Sequence, residues 1–343
     1  MAAERVLVTG TAGFLGSYLV PELLRRGYEV VGVDDESKYG PVERPFDDDP
    51  RFTRVVGDAR DADVVRAALD GCDHFIALAA MIGGIAYFHE RAYDLLAANE
   101  RLTAAACDAA IDAHRTGQLQ KLTYVSSAVV YESALPGPSV EGDELRIAPP
   151  RSSYGFQKLA VEYFARAARA QHGLPYTIVR PFNTVGIGEL RTAGVAAGAA
   201  DTAAPIALTH VVPDLVRKVL AGQDPLHLLG SGRQVRHYTA ARDVAAGMVI
   251  AMAHPDSLDD DFNLASPTGT SVLQLADAIW RRLRPGEELR YECDDPFAHD
   301  VAERVPSVAK ARDRLGFEAT TTLDEILDEV VPWVVDAVDR GLV

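Results

Sequence analysis

Three glycines, Gly10-Thr-Ala-Gly13-Phe-Leu-Gly16, stand between a short apolar run, Arg5–Thr9, and a segment with helical apolar spacing at Phe14, Leu15, Tyr18, Leu19 and Leu23. A strand that ends on a glycine turn and passes straight into a helix constrains the fold strongly. The chain must turn tightly there, and helix and strand must pack closely. Gly27 closes the helix, and Glu29–Val33 reads as a second strand of the buried type. The alternation continues with strands at Phe52–Val56, His74–Leu78, Lys121–Val125 and Tyr176–Val179. Helices at Asp61–Leu69, Tyr93–His114 and Tyr154–Gln171 lie between them. Strands apolar on both faces, alternating with helices, predict a parallel sheet covered on both sides.

The fold class expected is therefore α/β, a Rossmann-type doubly wound parallel sheet, with a smaller C-terminal α/β substrate domain. At 343 residues the chain is long for one domain and short for two large ones. The division expected is 1–182 for the dinucleotide-binding domain and 183–343 mainly for the second, with a possible crossover back to the first near 235–262. In the second part helices are expected at Pro213–Leu220, Ala241–Ala253, Val272–Leu283 and Leu323–Val338, and a strand at Leu226–Leu229. Residues 191–205, rich in Ala and Gly, resemble a flexible loop. The acidic runs Asp47–Asp49 and Asp259–Asp261 read as solvated loops.

The formal net charge is −16. Such a surface repels nucleic acid and anionic membrane, and an anionic substrate then needs a local cluster of Arg or backbone N–H groups. The three cysteines are scattered, so neither a disulfide framework nor a metal site is expected, and the compartment is expected to be reducing. No apolar run approaches the ~20 residues needed to span a bilayer. The start lacks the marks of a secretion signal, and a cytoplasmic location is expected.

At the glycine turn, free N–H groups and the helix dipole favour an anion such as a pyrophosphate. Gly10, Gly13, Phe14, Leu15 and Gly16 are the residues that would hold it. Asp34 ends the second strand. A carboxylate there accepts hydrogen bonds from a ribose 2′-hydroxyl and repels a 2′-phosphate, which predicts NAD as the cofactor. Asp58 and Ala59 end the third strand on the same edge, with Asp58 placed for an adenine amino group. Leu78-Ala79-Ala80 gives the fourth strand end a small profile suited to a bound cofactor.

Tyr154 and Lys158 are four apart on a predicted helix and share a face. A nearby ammonium is expected to lower the tyrosine pKa from about 10, so that the phenol can exchange a proton with a substrate hydroxyl. Lys158 is also placed for ribose hydroxyls. Ser126-Ser127 ends the preceding strand, on the edge where doubly wound sheets bind ligands. Ser127 is the candidate to bridge Tyr154 and a substrate oxygen, while Ser126 is expected to make a local backbone hydrogen bond.

These segments resemble the extended short-chain dehydrogenase/reductase family, and within it the NAD-dependent nucleotide-sugar epimerases and dehydratases. The matching stretches run in order: VTGTAGFLG at 8–16, Asp34, GDARD at 57–61, LAA at 78–80, Asn99, VSSAVVY at 125–131, SYGFQKLAVE at 153–162, RPFNTVG at 180–186, GSGRQVRHYTAARDVA at 230–245 and RLGFEATTTLDEIL at 314–327. The resemblance implies Ser127, Tyr154 and Lys158 as the catalytic set. It implies Asn99, Ser126 and Pro181 as further cofactor contacts, and Ala128, Asn183 and Arg236 as substrate contacts, with Arg236 on the nucleotide diphosphate. It also implies a homodimer built on the helices at 93–114 and 154–171, whose Ala content permits close approach.

Members of that family open with oxidation of the sugar at C4 and diverge afterwards. The 4,6-dehydratases carry an Asp-Glu pair where this chain has Ala128-Val129, and the 3,5-epimerases of GDP-mannose carry a Cys at the position of Val129. Gly83 and Gly84 resemble the glycine pair of GDP-mannose epimerases and GDP-fucose synthases, and His89, Glu90 and Arg191 are further polar candidates. The reading is C4 epimerisation of a UDP-, TDP- or GDP-sugar with retained NAD. Alternatives are epimerisation at C3, C5 or C2, decarboxylation of the UDP-glucuronate type, and an NAD-binding regulator without turnover.

Overall fold

The computed structural model describes residues 3–82, 91–188, 210–295, 301 and 303–341. Its main sheet has seven strands: β1 (Arg5–Thr9), β2 (Glu29–Asp34), β3 (Phe52–Val56), β4 (His74–Ala77), β5 (Lys121–Val125), β6 (Tyr176–Pro181) and β7 (Asp260–Leu264). They lie in the order β7-β6-β5-β4-β1-β2-β3, and all neighbours are parallel. This is the Rossmann-type α/β fold.

Alternation along β1 builds a core on each face. Val6 and Val8 point to one side, with Leu19 and Leu23 of α1 (Gly16–Arg25). Leu7 points to the other, with Val65 of α2 (Ala62–Leu69), Ala106 and Ala110 of α3 (Ala92–Arg115), and Val161 and Ala165 of α4 (Ser153–His172). The alanines expected to serve a dimer seam thus pack inside the chain. Ser152 caps α4 by accepting from the Gly155 N–H at 3.0 Å, which sets where that helix begins.

A separate apolar core gathers α5 (Val211–Leu220), the strand Leu226–Leu229, α7 (Val272–Leu283) and α9 (Leu323–Asp339) around Trp280. Between these segments the chain returns to the sheet. α6 (Ala241–Ala253) lays Val244 and Met248 on the face of α1, and Leu315 of α8 (Ala309–Leu315) and Phe317 join them.

The run Asp259–Asp261 is not a solvated loop. Asp260 opens β7, and Asp261 is 9% exposed and paired with Arg180 and Lys310. Burial alone would raise its pKa, but the two cations outweigh burial and hold the carboxyl far below its usual range. Reading composition alone missed this because the neutralising charges come from distant segments. Asp261→Asn is expected to cost about 3–5 kcal/mol of unfolding free energy in urea titration, since it unbalances a buried cation. Asp48→Asn, on the exposed acidic run, is expected to change it by less than about 0.5 kcal/mol. Equal effects would contradict the assignment.

Candidate active site

The carboxyl ends of the strands open into a cleft of about 1020 Å³, which reaches across to the second core. That volume is at the upper end for small-molecule sites and suits an extended ligand pair. Gly10, Gly13, Phe14, Leu15 and Gly16 line one end. Gly10 adopts φ +82°, and a Cβ there would lie 2.9 Å from the Ala79 Cα. A Cβ at Gly16 would lie 2.6 Å from the Thr11 carbonyl oxygen. No side chain fits at either position, so the bare backbone is what faces the cleft. Asp34 lies beside it, and its carboxylate accepts from the Ala12 N–H at 2.9 Å and the Glu36 N–H at 2.8 Å. Burial raises the Asp34 pKa against those two donors. These residues fit a dinucleotide with free ribose hydroxyls.

Asp58 and Ala59 line the same end, with Asp58 paired to Arg60 at 2.7 Å. The cap of the helix that follows is Asp61, which accepts from the Asp63 N–H. Leu78, Ala79 and Ala80 form a wall whose first two amides donate to Thr9 Oγ1, both at 3.2 Å. Asn99 is not on the cleft wall. It is buried behind it, and its amide group clamps the backbone N–H and C=O of Met81 at 2.7 and 2.9 Å. Asn99 therefore shapes the wall from outside.

Ser126, Ser127, Ala128, Tyr154, Lys158 and Pro181 meet at the middle of the cleft. Ser127 caps a short 3-10 turn, Ala128–Tyr131. The Ser127 hydroxyl stands near enough to the Tyr154 phenol to favour its ionisation. Lys158 Nζ lies 5.9 Å from the Tyr154 ring centre and donates to the Val125 carbonyl at 2.9 Å. Ser126 does not make the local backbone bond expected of it as its main contact. Its Oγ donates to Glu162 Oε1 at 2.7 Å.

The electrostatics differ from the sequence expectation. Burial pushes Tyr154 up to about 12, with the Ser127 hydroxyl and the Arg304 charge acting in the opposite sense. Burial likewise pulls Lys158 down to about 8. An ammonium that is itself desolvated does not offset the cost of a buried phenolate in the ligand-free protein. The set is poised for proton exchange only when further positive charge faces the phenol.

Asn183 and Arg236 line the far side with Arg304, Gln234 and Lys218. Asn183 takes an unusual φ of +35°, and its Nδ2 donates to the His237 carbonyl at 3.4 Å. Arg236 donates to the Val235 carbonyl at 2.9 Å. The cations Arg304 and Lys218, both missed in sequence, come from segments without a motif. Val212, Leu215, Leu228 and Val272 complete an apolar wall there. Gly83, Gly84, His89, Glu90 and Arg191, and the run 191–205, lie outside the described residues.

Lys158 gives a direct check on this environment. Its pKa of about 8 lies below the value of about 10.4 for an unfolded chain. The unfolded chain then binds more protons between those pH values, so wild-type stability rises across that window. Relative to Lys158→Met, ligand-free wild type is expected to gain about 2 kcal/mol in urea titrations between about pH 8 and 10. The comparison cancels Lys121, which burial also lowers to about 8. A constant difference across the window would contradict the burial assigned to Lys158.

Among the described residues no helix is long and apolar enough to cross a membrane. Residues 6–265 match the model of the NAD dependent epimerase/dehydratase family. The chain is 26% identical to a UDP-glucose 4-epimerase of Lacticaseibacillus casei, with 96% of each chain covered. It is equally similar, at 26%, to a UDP-N-acetyl-alpha-D-glucosaminuronate decarboxylase of Bacillus cytotoxicus, covering 96% of this chain and 97% of the relative. The fold is similar to that of a UDP-glucose 4-epimerase from Thermotoga maritima, with a TM-score of 0.80 at 24% identity over 97% and 99% of the two chains. With a family match that spans most of its length, the chain belongs to the NAD dependent epimerase/dehydratase family; it is an enzyme, and NAD is its cofactor.

Proposed function

We propose that this enzyme inverts C4 of a nucleotide-diphosphate hexose or its uronic acid, through a transient 4-keto sugar, with NAD retained from one turnover to the next. The observation that carries the reading is that Ser127, Tyr154 and Lys158 face the same cleft as the glycine turn, with Lys158 Nζ 5.9 Å from the Tyr154 ring centre. Gly10, Gly13, Phe14, Leu15 and Gly16 would hold the pyrophosphate, Asp34 the adenosine ribose and Lys158 the nicotinamide ribose. NAD, when bound, supplies a hydride acceptor and donor and a positively charged ring.

Tyr154 takes the proton of the C4 hydroxyl, and Ser127 holds the same oxygen by bridging it to the phenol. The charge of Arg304 works against the burial that disfavours the phenolate, and the positive ring of bound NAD would add to it. Ala128 and Val129 present only apolar atoms beside the sugar, so no side chain there eliminates water. Arg236 and Arg304 supply the cationic fork that an acidic protein needs for a diphosphate, and Asn183 is placed for the sugar. The apolar wall of Val212, Leu215, Leu228 and Val272 suits a nucleobase. Decarboxylation is the second reading, since a relative named as a decarboxylase matches over the same length.

We also propose a homodimer through the outer face of α3 and α4. Tyr93 is 78% exposed there and Tyr163 58%, and Phe156 is exposed beside them. Sedimentation at micromolar concentration is expected to give twice the chain mass, and Tyr163→Glu with Phe156→Glu to give the monomer. A monomeric wild type would contradict this.

Incubation with UDP-, TDP- and GDP-linked hexoses and hexuronates is expected to yield a C4 epimer, without CO2, dehydration or net NADH. Tyr154→Phe is expected to reduce kcat by about 100- to 10,000-fold. A released 4-keto or decarboxylated sugar would contradict the reading.

A further inference from the structure

We propose that Tyr131 and Ser126 are positioning residues, which act through a buried Arg180–Glu162 pair to fix the turn that carries Ser127. The inference rests on the reading that Ser127 acts in the proton transfer.

Arg180 is fully buried on β6. Its Nε and Nη2 donate to the two oxygens of Glu162, both at 2.7 Å, and Glu162 stands one helical turn beyond Lys158 on α4. Glu144 and Asp261 complete the charge balance around its guanidinium. This geometry leaves two groups free to reach out from the pair. Glu162 Oε1 accepts from Ser126 Oγ at 2.7 Å, the residue before Ser127. Arg180 Nη1 donates to Tyr131 Oη at 3.0 Å, the last residue of the turn that Ser127 caps. Tyr131 Oη in turn donates to Asn263 Oδ1 at 3.0 Å. Burial keeps Tyr131 neutral far above the ordinary phenol range, so its single proton is committed to that bond.

The turn is thus held at both ends by one rigid ion pair, and the pair is anchored on the helix that carries Tyr154 and Lys158. Ser127 itself accepts two long bonds inside the turn, Val129 N–H to Ser127 Oγ at 3.4 Å and Val130 N–H to Ser127 C=O at 3.2 Å, while Glu132 N–H to Val129 C=O at 3.0 Å closes its far end. The bonds that Ser127 accepts within the turn are long, so the position of its hydroxyl depends on the outer ties. Tyr131 is buried and, unlike Ser127, does not line the cleft. Its hydroxyl therefore touches neither substrate nor cofactor.

Tyr131→Phe keeps the ring and removes the tie. Amide hydrogen exchange at Val129 and Val130 is expected to quicken about tenfold, with α4 amides unchanged. With the nucleotide hexose of the panel above that reacts, kcat is expected to fall about tenfold with KM held within about twofold. In a Ser127→Ala background the same change is expected to cost less than about twofold, because the device works through that hydroxyl. Ser126→Ala, which leaves the Arg180–Glu162 pair whole, is expected to behave alike and serves if Tyr131→Phe does not fold.

Unaltered exchange at Val129 and Val130 overturns the proposal, and this measurement needs no substrate. So does an equal kcat loss in the presence and absence of the Ser127 hydroxyl, which would mark a general structural effect. If Ser127→Ala itself leaves kcat unchanged, the reading of the site fails and this one with it.

Discussion

A guanidinium without solvent is costly unless carboxylates surround it, and Arg180 near the carboxyl end of β6 is satisfied by Glu162, Glu144 and Asp261. Those three acids arrive from α4, from the loop before it and from β7. The strands β7 and β6, already paired through their backbones, are thus joined to each other and to α4 by electrostatics. Removing one partner of such a group costs about 3–5 kcal/mol, which makes the arrangement all-or-none. The consequence for chemistry is a rigid frame beneath Ser127, Tyr154 and Lys158.

The other fixed point is the glycine turn. Its backbone lies so close to Ala79 and to its own preceding carbonyls that side chains are excluded at Gly10 and Gly16. The frame under the catalytic residues and the bare backbone of the turn face each other across one cleft. A dinucleotide would be held by residues of both. Burial holds the Tyr154 pKa at about 12. The phenol is held in a dry place that suppresses its ionisation, and only assembled positive charge reverses that.

What was legible in the sequence was local. Strand, glycine turn and helix are contiguous, so Gly10–Gly16 and Asp34 read directly, and the spacing of Tyr154 and Lys158 follows from one helix. The start and end of α4 and α7 were placed within a residue or two because caps and apolar spacing are local signals too. What escaped depends on segments far apart in the chain. The acidic tripeptide at 259–261 looks solvated until Arg180 and Lys310 are seen beside it. Ser126 looks like a residue for a local bond until Glu162 is found facing it. The grip of Asn99 on the Met81 backbone, eighteen residues away in the chain, carries no local signal either. The sign of the Tyr154 shift was misjudged because spacing reports a neighbouring charge but not the burial of both groups.

The claim on which the account turns is that the hydrogen removed from C4 is the one returned to it. A nucleotide hexose carrying deuterium at C4, turned over in ordinary water and followed by NMR, tests this directly. The account predicts inverted C4 product that keeps its deuterium, with no exchange at neighbouring carbons. Loss of the label to water, or solvent hydrogen entering at C3 or C5 with C4 unchanged, would contradict it.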